Sequence, residues 1–168
     1  MFKINDVVVY GQQGVFEITA IEDKKIGGEM KSYFVLKPKA ERGATCYVPI
    51  WNETALAKMR RVMTKMEVDA LIDSMPNKKS FWIENEAERK ETYKQVLAGG
   101  DQAAIISMMQ AIYRHKQEVE AVGKRLHVSD DRFMKDAEQI LYNEWQYVLH
   151  VDKAGLLAYI FSRIEGNP

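Results

Sequence analysis

Cysteine is nearly missing from these 168 residues: Cys46 stands alone, so no disulfide can join two points of the chain. The cores must then hold by packing, which 46% hydrophobic residues can supply, and a reducing cytoplasmic setting is the natural expectation. Within a predicted strand, Cys46 reads as a small hydrophobe rather than a reactive thiol. An excess of charge of either sign is also lacking, since 24 basic residues cancel 24 acidic ones. No global field recruits nucleic acid or a membrane, and any such binding must come from a local patch. Apolar runs are short, and none approaches the 18 or so residues of a spanning helix. The opening M-F-K-I-N-D-V-V-V-Y has only a brief apolar run after Asp6, which predicts neither a secretory leader nor an anchor. Catalytic signatures are missing as well. His115, His127 and His150 are scattered, without a Cys or second His at metal-ligand spacing. Glycine-rich phosphate loops and nucleophile elbows do not occur, and Glu84 with Glu88 is the i,i+4 spacing that any acidic helix shows by chance. These absences predict a protein that is not an enzyme, with no cofactor, no metal and no small-molecule substrate.

What is present begins with a hairpin. Val7–Tyr10 and Val15–Ala20 are rich in β-branched and aromatic residues, and Gly11-Gln12-Gln13-Gly14 between them supplies the φ freedom of a tight connection. Ser32–Lys37 and Thr45–Val48 read as a second pair of strands, with Glu22–Glu29 as a solvated turn before them. Four or five short strands in 50 residues are too few for a sandwich. They fit a compact five-strand barrel of SH3 or Tudor type, whose exposed strand edge can receive a partner's strand.

After Trp51 the period becomes helical. Thr54–Arg61 reads as a short helical connector. Thr64-Lys65-Met66-Glu67 has capping-box spacing and opens a helix over 65–75 that Pro76-Asn77 stops. Lys78–Ile83 then sets a basic pair before Phe81 and Trp82, ahead of a second start at Asn85-Glu86-Ala87-Glu88. Trp82 stands in the turn before that helix, either exposed at its entrance or buried beside Phe81 and Ile83. The helix runs over 86–98 to Gly99-Gly100. Asp101 caps the next, with Ile105, Met109, Ile112 and Val119 on one face. Ser129, Asp130 and Asp131 open a fourth helix to about His150, with Phe133, Ala137, Ile140, Leu141, Trp145 and Val148 inward. Asp152 caps a last one bearing Leu156, Leu157, Ile160 and Ile164. The fold class is therefore α+β: a small Tudor/SH3-like β-barrel over 1–52 followed by an all-α helical domain over 53–168.

F-K-I-N-D-V-V-V-Y-G-x-x-G-V at the start, A-I-E at 20–22, G-E-x-K-x-Y-F-V-L-K at 28–37 and V-P at 48–49 resemble the RNA polymerase-interacting domain of the CarD/CdnL transcription regulators. A similar domain occurs in the transcription-repair coupling factor. R-K-E-x-Y-K-x-x-L-x-x-G-D at 89–101 and A-E-x-I-L at 137–141 resemble the family's helical DNA-binding domain. The resemblance implies a bacterial-type regulator that grips the RNA polymerase β subunit with its barrel. Its helices would touch double-stranded promoter DNA at the upstream edge of the bubble and stabilise the open complex. The family's polymerase-binding positions fall on Lys24, which keeps the basic charge, and Tyr47, which does not, beside Val48 and Pro49. Its wedge tryptophan aligns near Glu86, whereas the tryptophan here is Trp82, four residues earlier. Phosphate contacts are expected from Arg89, Lys90 and Lys94, with Lys78 and Lys79 before them, and from Lys124, Arg125 and Arg132. The competing expectation is an adaptor of the same fold whose helices dock a second protein instead of DNA.

Overall fold

The computed structural model describes residues 1–77 and 79–166. The chain divides into two compact units, Met1–Met63 and Thr64–Pro168.

The first unit is an antiparallel sheet of five strands: β1 (Val7–Tyr10), β2 (Val15–Ile26), β3 (Glu29–Pro38), β4 (Cys46–Pro49) and β5 (Met59–Arg61), in the spatial order β4-β3-β2-β1-β5. Burial does not alternate strictly: Val8 with Val9, Val15 with Phe16, and Phe34 through Leu36 are buried in succession. Val8, Phe16, Ile18, Phe34, Leu36, Val48 and Met59 form one core cluster, with Phe2, Tyr10, Ile50 and Leu56 against it. A register shift between Ile18 and Ala20 bends β2 at Thr19. Cys46 is half-buried, its Sγ donates to Gln13 Oε1 at 3.1 Å, and burial pushes its thiol pKa up, the opposite of an activated thiolate.

Two parts of this unit differ from the sequence expectation. Glu22–Glu29 is not a loop: the β2–β3 ladder continues through Glu22 opposite Tyr33 and Lys24 opposite Lys31 to Ile26 opposite Glu29. Only Gly27 and Gly28 turn, with φ of 60° and 85°, the paired positive values that a two-residue hairpin of the right twist requires. The charged side chains tolerate strand geometry because the projecting hairpin is wet, and Ser32 Oγ donates to Asp23 Oδ1 across it at 2.5 Å. The expected connector 54–61 is a helix only over α1 (Glu53–Leu56); the chain then returns as β5 to pair with β1, Met59 opposite Tyr10.

The second unit is helical: α2 (Lys65–Ser74), α3 (Glu86–Gly99), α4 (Gln102–Ala121), α5 (Val128–Leu149) and α6 (Lys153–Gly166), with a 3-10 turn over Met75–Asn77. The starts predicted at Thr64, Asn85 and Asp101 are present as hydrogen bonds, whereas α5 begins at Val128, one residue before the predicted Ser129, with no side-chain cap bond at its start. Thr64 Oγ1 accepts from Glu67 N at 3.2 Å while Glu67 Oε2 accepts from Thr64 N at 2.8 Å. Asn85 Oδ1 accepts from Glu88 N at 2.9 Å, and Asp101 Oδ1 from Ala103 N at 3.0 Å. Ile105, Ile112, Ala137, Leu141, Trp145 and Leu156 are fully buried in the shared core. Two of the buried polar side chains there form a linked pair around Trp145, whereas the buried Tyr93 hydroxyl has no hydrogen-bond partner among the described residues. Trp145 Nε1 donates to Gln102 Oε1 at 3.0 Å, and Gln102 Nε2 donates to Glu144 Oε2 at 2.7 Å. No helix among the described residues is long and apolar enough to cross a membrane.

Candidate functional site

In the first unit, the sheet face opposite the core carries a cluster of cations on aromatic rings. Pairing of Lys24 with Lys31, Glu22 with Tyr33, Val35 with Tyr47 and Tyr33 with Pro49 sets these side chains side by side across β2, β3 and β4. The Lys24 ammonium lies 3.4 Å from the centroid of the Tyr47 ring, and that of Lys31 lies 4.5 Å from the Trp51 ring. Tyr33 meets Trp51 edge-on at 6.5 Å. A cation over an aromatic face is worth about 0.5–1 kcal/mol at an exposed site, which biases a flexible lysine toward that orientation against a rotamer entropy of about 2 kcal/mol. Tyr47 and Trp51 remain about half exposed, at 46% and 53%. The cluster borders β4, which pairs only with β3, so its other edge has no strand partner among the described residues.

Lys24 and Tyr47 are thus brought together, and the tyrosine holds the lysine beside the open edge. Val48 is fully buried, its side chain part of the core, so it can meet a partner only through its backbone. Pro49 is half-buried opposite Tyr33. Sequence reasoning missed Lys31, Tyr33 and Trp51. The period-2 placement of Lys31 and Tyr33 opposite the buried Phe34 and Leu36 was the available signal.

In the second unit, the entrance to α3, the start of α5 and the C-terminal half of α4 meet at one end. Arg89 does not face solvent and is no phosphate contact. Only 4% exposed, it donates from Nε to Asp130 Oδ1 at 2.9 Å and from Nη2 to Asp130 Oδ2 at 3.1 Å. Its Nη1 donates to the carbonyls of Ile83 at 2.9 Å and Glu84 at 3.3 Å, tying down the segment before α3. The reason is chemical: a bidentate guanidinium is the group best able to neutralise a carboxylate as buried as Asp130, which is 1% exposed. Burial and then the Asp130 charge push the nearby Tyr93 phenol up to about 12, against the pull of Arg89.

Trp82 is half-buried. Its ring lies parallel to the His115 imidazole, with centroids 3.7 Å apart and planes 9° apart, and the Arg89 guanidinium carbon stands 4.4 Å from the ring centroid. Phe81 beside it is 81% exposed. Lys90 pairs with Glu86 at 2.6 Å, and the Glu86 carboxylate lies 3.8 Å from His127 Nδ1. Lys79, Lys94, Lys124, Arg125 and Arg132 are exposed, with Glu84 and Glu88 exposed among them. Lys78 lies outside the described residues. His115 and the separate fates of Phe81 and Trp82 had no signal in the local sequence.

Residues 2–63 match the family model described as the CarD-like/TRCF RID domain, a span that coincides with the unit Met1–Met63. The first unit is a CarD-like/TRCF RID domain, which ties the protein to transcription through interaction with RNA polymerase.

Proposed function

We propose that the protein is a non-enzymatic cytoplasmic transcription regulator that binds the RNA polymerase β subunit through its first unit. With the second unit it contacts promoter DNA upstream of the bubble and stabilises the open complex. The observation that carries this reading is the unpaired edge of β4 flanked by Lys24 over Tyr47 and Lys31 over Trp51, inside a CarD-like/TRCF RID domain. An extended partner segment can add to that edge by backbone hydrogen bonds, which require no particular side chain, while the lysines select for acidic groups beside it. Five strands around one core cluster are also the content of a Tudor-like barrel. In the second unit the exposed Lys94, Lys124, Arg125 and Arg132 offer phosphate contacts. With acids interleaved among them, affinity for free DNA is weak, and tethering to polymerase supplies the missing effective concentration.

The adaptor reading draws on a specific observation: Arg89 is buried against Asp130, and the exposed charge of Lys90 is paired with Glu86. Both readings share the polymerase contact, which Lys24→Glu tests. Binding of the full chain to a β-subunit fragment is expected to weaken by about tenfold, with an unchanged circular-dichroism spectrum. Wild-type affinity in that variant removes Lys24 from the contact. Open-complex lifetime with and without the protein separates the two: an adaptor without a DNA role leaves it unchanged.

A further inference from the structure

We infer that Trp51 is the anchor of the polymerase contact and that Lys31 supplies beside it the basic charge that Tyr47 does not. Together they seat an apolar side chain and a neighbouring carboxylate of the β-subunit segment that adds to β4. This inference rests on the polymerase contact proposed above and says which chemistry the partner brings to it.

Lys31 lies opposite Lys24 on the face away from the core, so β2 and β3 set two ammonium groups side by side. Like charges directly opposite destabilise a strand pair, and within the unit the compensation is partial. Glu29 stands 3.6 Å from Lys31 but its side chain is largely exposed, and Lys24 has no ion pair among the described residues. Glu22 and Glu29 share this face, yet only the cations are drawn to rings on the β4 side, Lys24 to Tyr47 and Lys31 to Trp51. A segment added to β4 therefore meets positive charge at two points. One of them, Lys31, lies outside the positions that the family motif marks.

Trp51 has the properties of an anchor. It comes two residues after the end of β4, its indole is about half exposed, and it is oriented before any partner arrives, by Tyr33 edge-on at 6.5 Å and by Lys31 at 4.5 Å. A ring already oriented loses little rotamer freedom on binding, and large aromatic side chains carry a disproportionate share of interface energy. Val35, opposite Tyr47 on the same face, is buried, so this face is packed from below and an apolar side chain laid against Trp51 would close it from above. Because the Lys31 ammonium stands over that same ring, the apolar group and the carboxylate must arrive close together on the partner.

The test uses the full chain and a fragment of the β subunit, with affinity read by calorimetry across a salt series and folding by the melting temperature. Trp51→Ala is expected to weaken binding by about tenfold or more, the scale of an anchor residue. Trp51→Phe keeps a ring and should recover most of that loss, which separates an anchor from damage to the fold. Lys31→Met is expected to weaken binding by about fivefold and to make its salt dependence shallower, because it removes the charge and keeps the stem. Lys25→Met is the control: Lys25 is exposed beside Lys24 but on the other face of the strand, so affinity should stay within about twofold of wild type. Wild-type affinity in either Trp51→Ala or Lys31→Met, with Lys24→Glu weakened, overturns the inference and leaves the proposed function standing. An equal loss in Lys25→Met and Lys31→Met also overturns it, since the charge then acts at long range and not beside Trp51. If the unmodified protein binds no β-subunit fragment, the polymerase contact fails and the inference falls with it.

Discussion

Replacing Arg89 by alanine is expected to unfold the helical unit more readily than any surface change near it. In the native state Asp130 is 1% exposed and takes both its strong hydrogen bonds from this one guanidinium. Truncation strands a desolvated carboxylate, and breaking a buried pair from one side costs about 3–5 kcal/mol. The carbonyls of Ile83 and Glu84 lose a donor at the same time. Lys90, one residue on, is the internal control: its bond to Glu86 is shorter, at 2.6 Å, but both side chains are over 40% exposed. Water replaces that interaction, so Lys90→Ala should cost no more than about 0.5 kcal/mol. Removing both charges in Arg89→Met/Asp130→Leu should destabilise less than either single change, because no unpaired charge is left behind. Urea unfolding of the full chain, followed by tryptophan fluorescence, to which the buried Trp145 contributes, and by far-ultraviolet circular dichroism, gives each of these values. A cost below about 1 kcal/mol for Arg89→Ala would refute the argument that Asp130 depends on it.

Two further outcomes are expected. Burial alone would raise the pKa of Asp69, but the hydrogen bonds from Tyr159 and Lys65 and the charge of Arg163 hold it below the usual carboxylate range. A depressed folded-state pKa stabilises above the unfolded value, near 3.9, and that stability is lost as pH falls through the folded value. Asp69→Asn should therefore flatten the acid limb of a urea-midpoint against pH curve below about pH 5, and a curve parallel to wild type contradicts the assignment. Gly100 ends α3 with φ of 70°, and a Cβ built there meets open space, so Gly100→Ala tests torsional cost alone. A loss of about 1–2 kcal/mol in urea unfolding is expected; a stabilised variant would mean the left-handed cap is not required.

Much of this fold was legible because its signals are short. A helix start is decided within four residues, so Thr64, Asn85 and Asp101 could be read as caps and are found making those bonds. Strand β5 was not legible, since Met59-Arg60-Arg61 gains its strand character only by pairing with β1, some 50 residues earlier. The hairpin tip failed for a different reason. Glu22–Lys25 is charged on both faces because both faces are hydrated, so the alternation that identifies a strand is missing. At the candidate site, Lys24 was found through the family motif, while its tyrosine partner was read as a lost charge when it is the ring beneath the lysine. Arg89 reads as one more cation on a polar helix until Asp130, 41 residues away, is folded against it.

The uneven strand pairing of the first unit also sets the order in which it comes apart. The β2–β3 ladder runs from Phe16 opposite Pro38 to Ile26 opposite Glu29 and is closed by a two-residue turn, so its pairing is local and re-forms quickly. Strand β5 spans only Met59–Arg61 and joins β1 across a long intervening chain, which makes it the natural first segment to detach. Its amides should exchange with deuterium through a local opening while those of β2 and β3 wait for the whole unit to unfold. Each such opening passes one of the sheet's two outer edges from the three-residue β5 to the four-residue β1, while the other stays with β4.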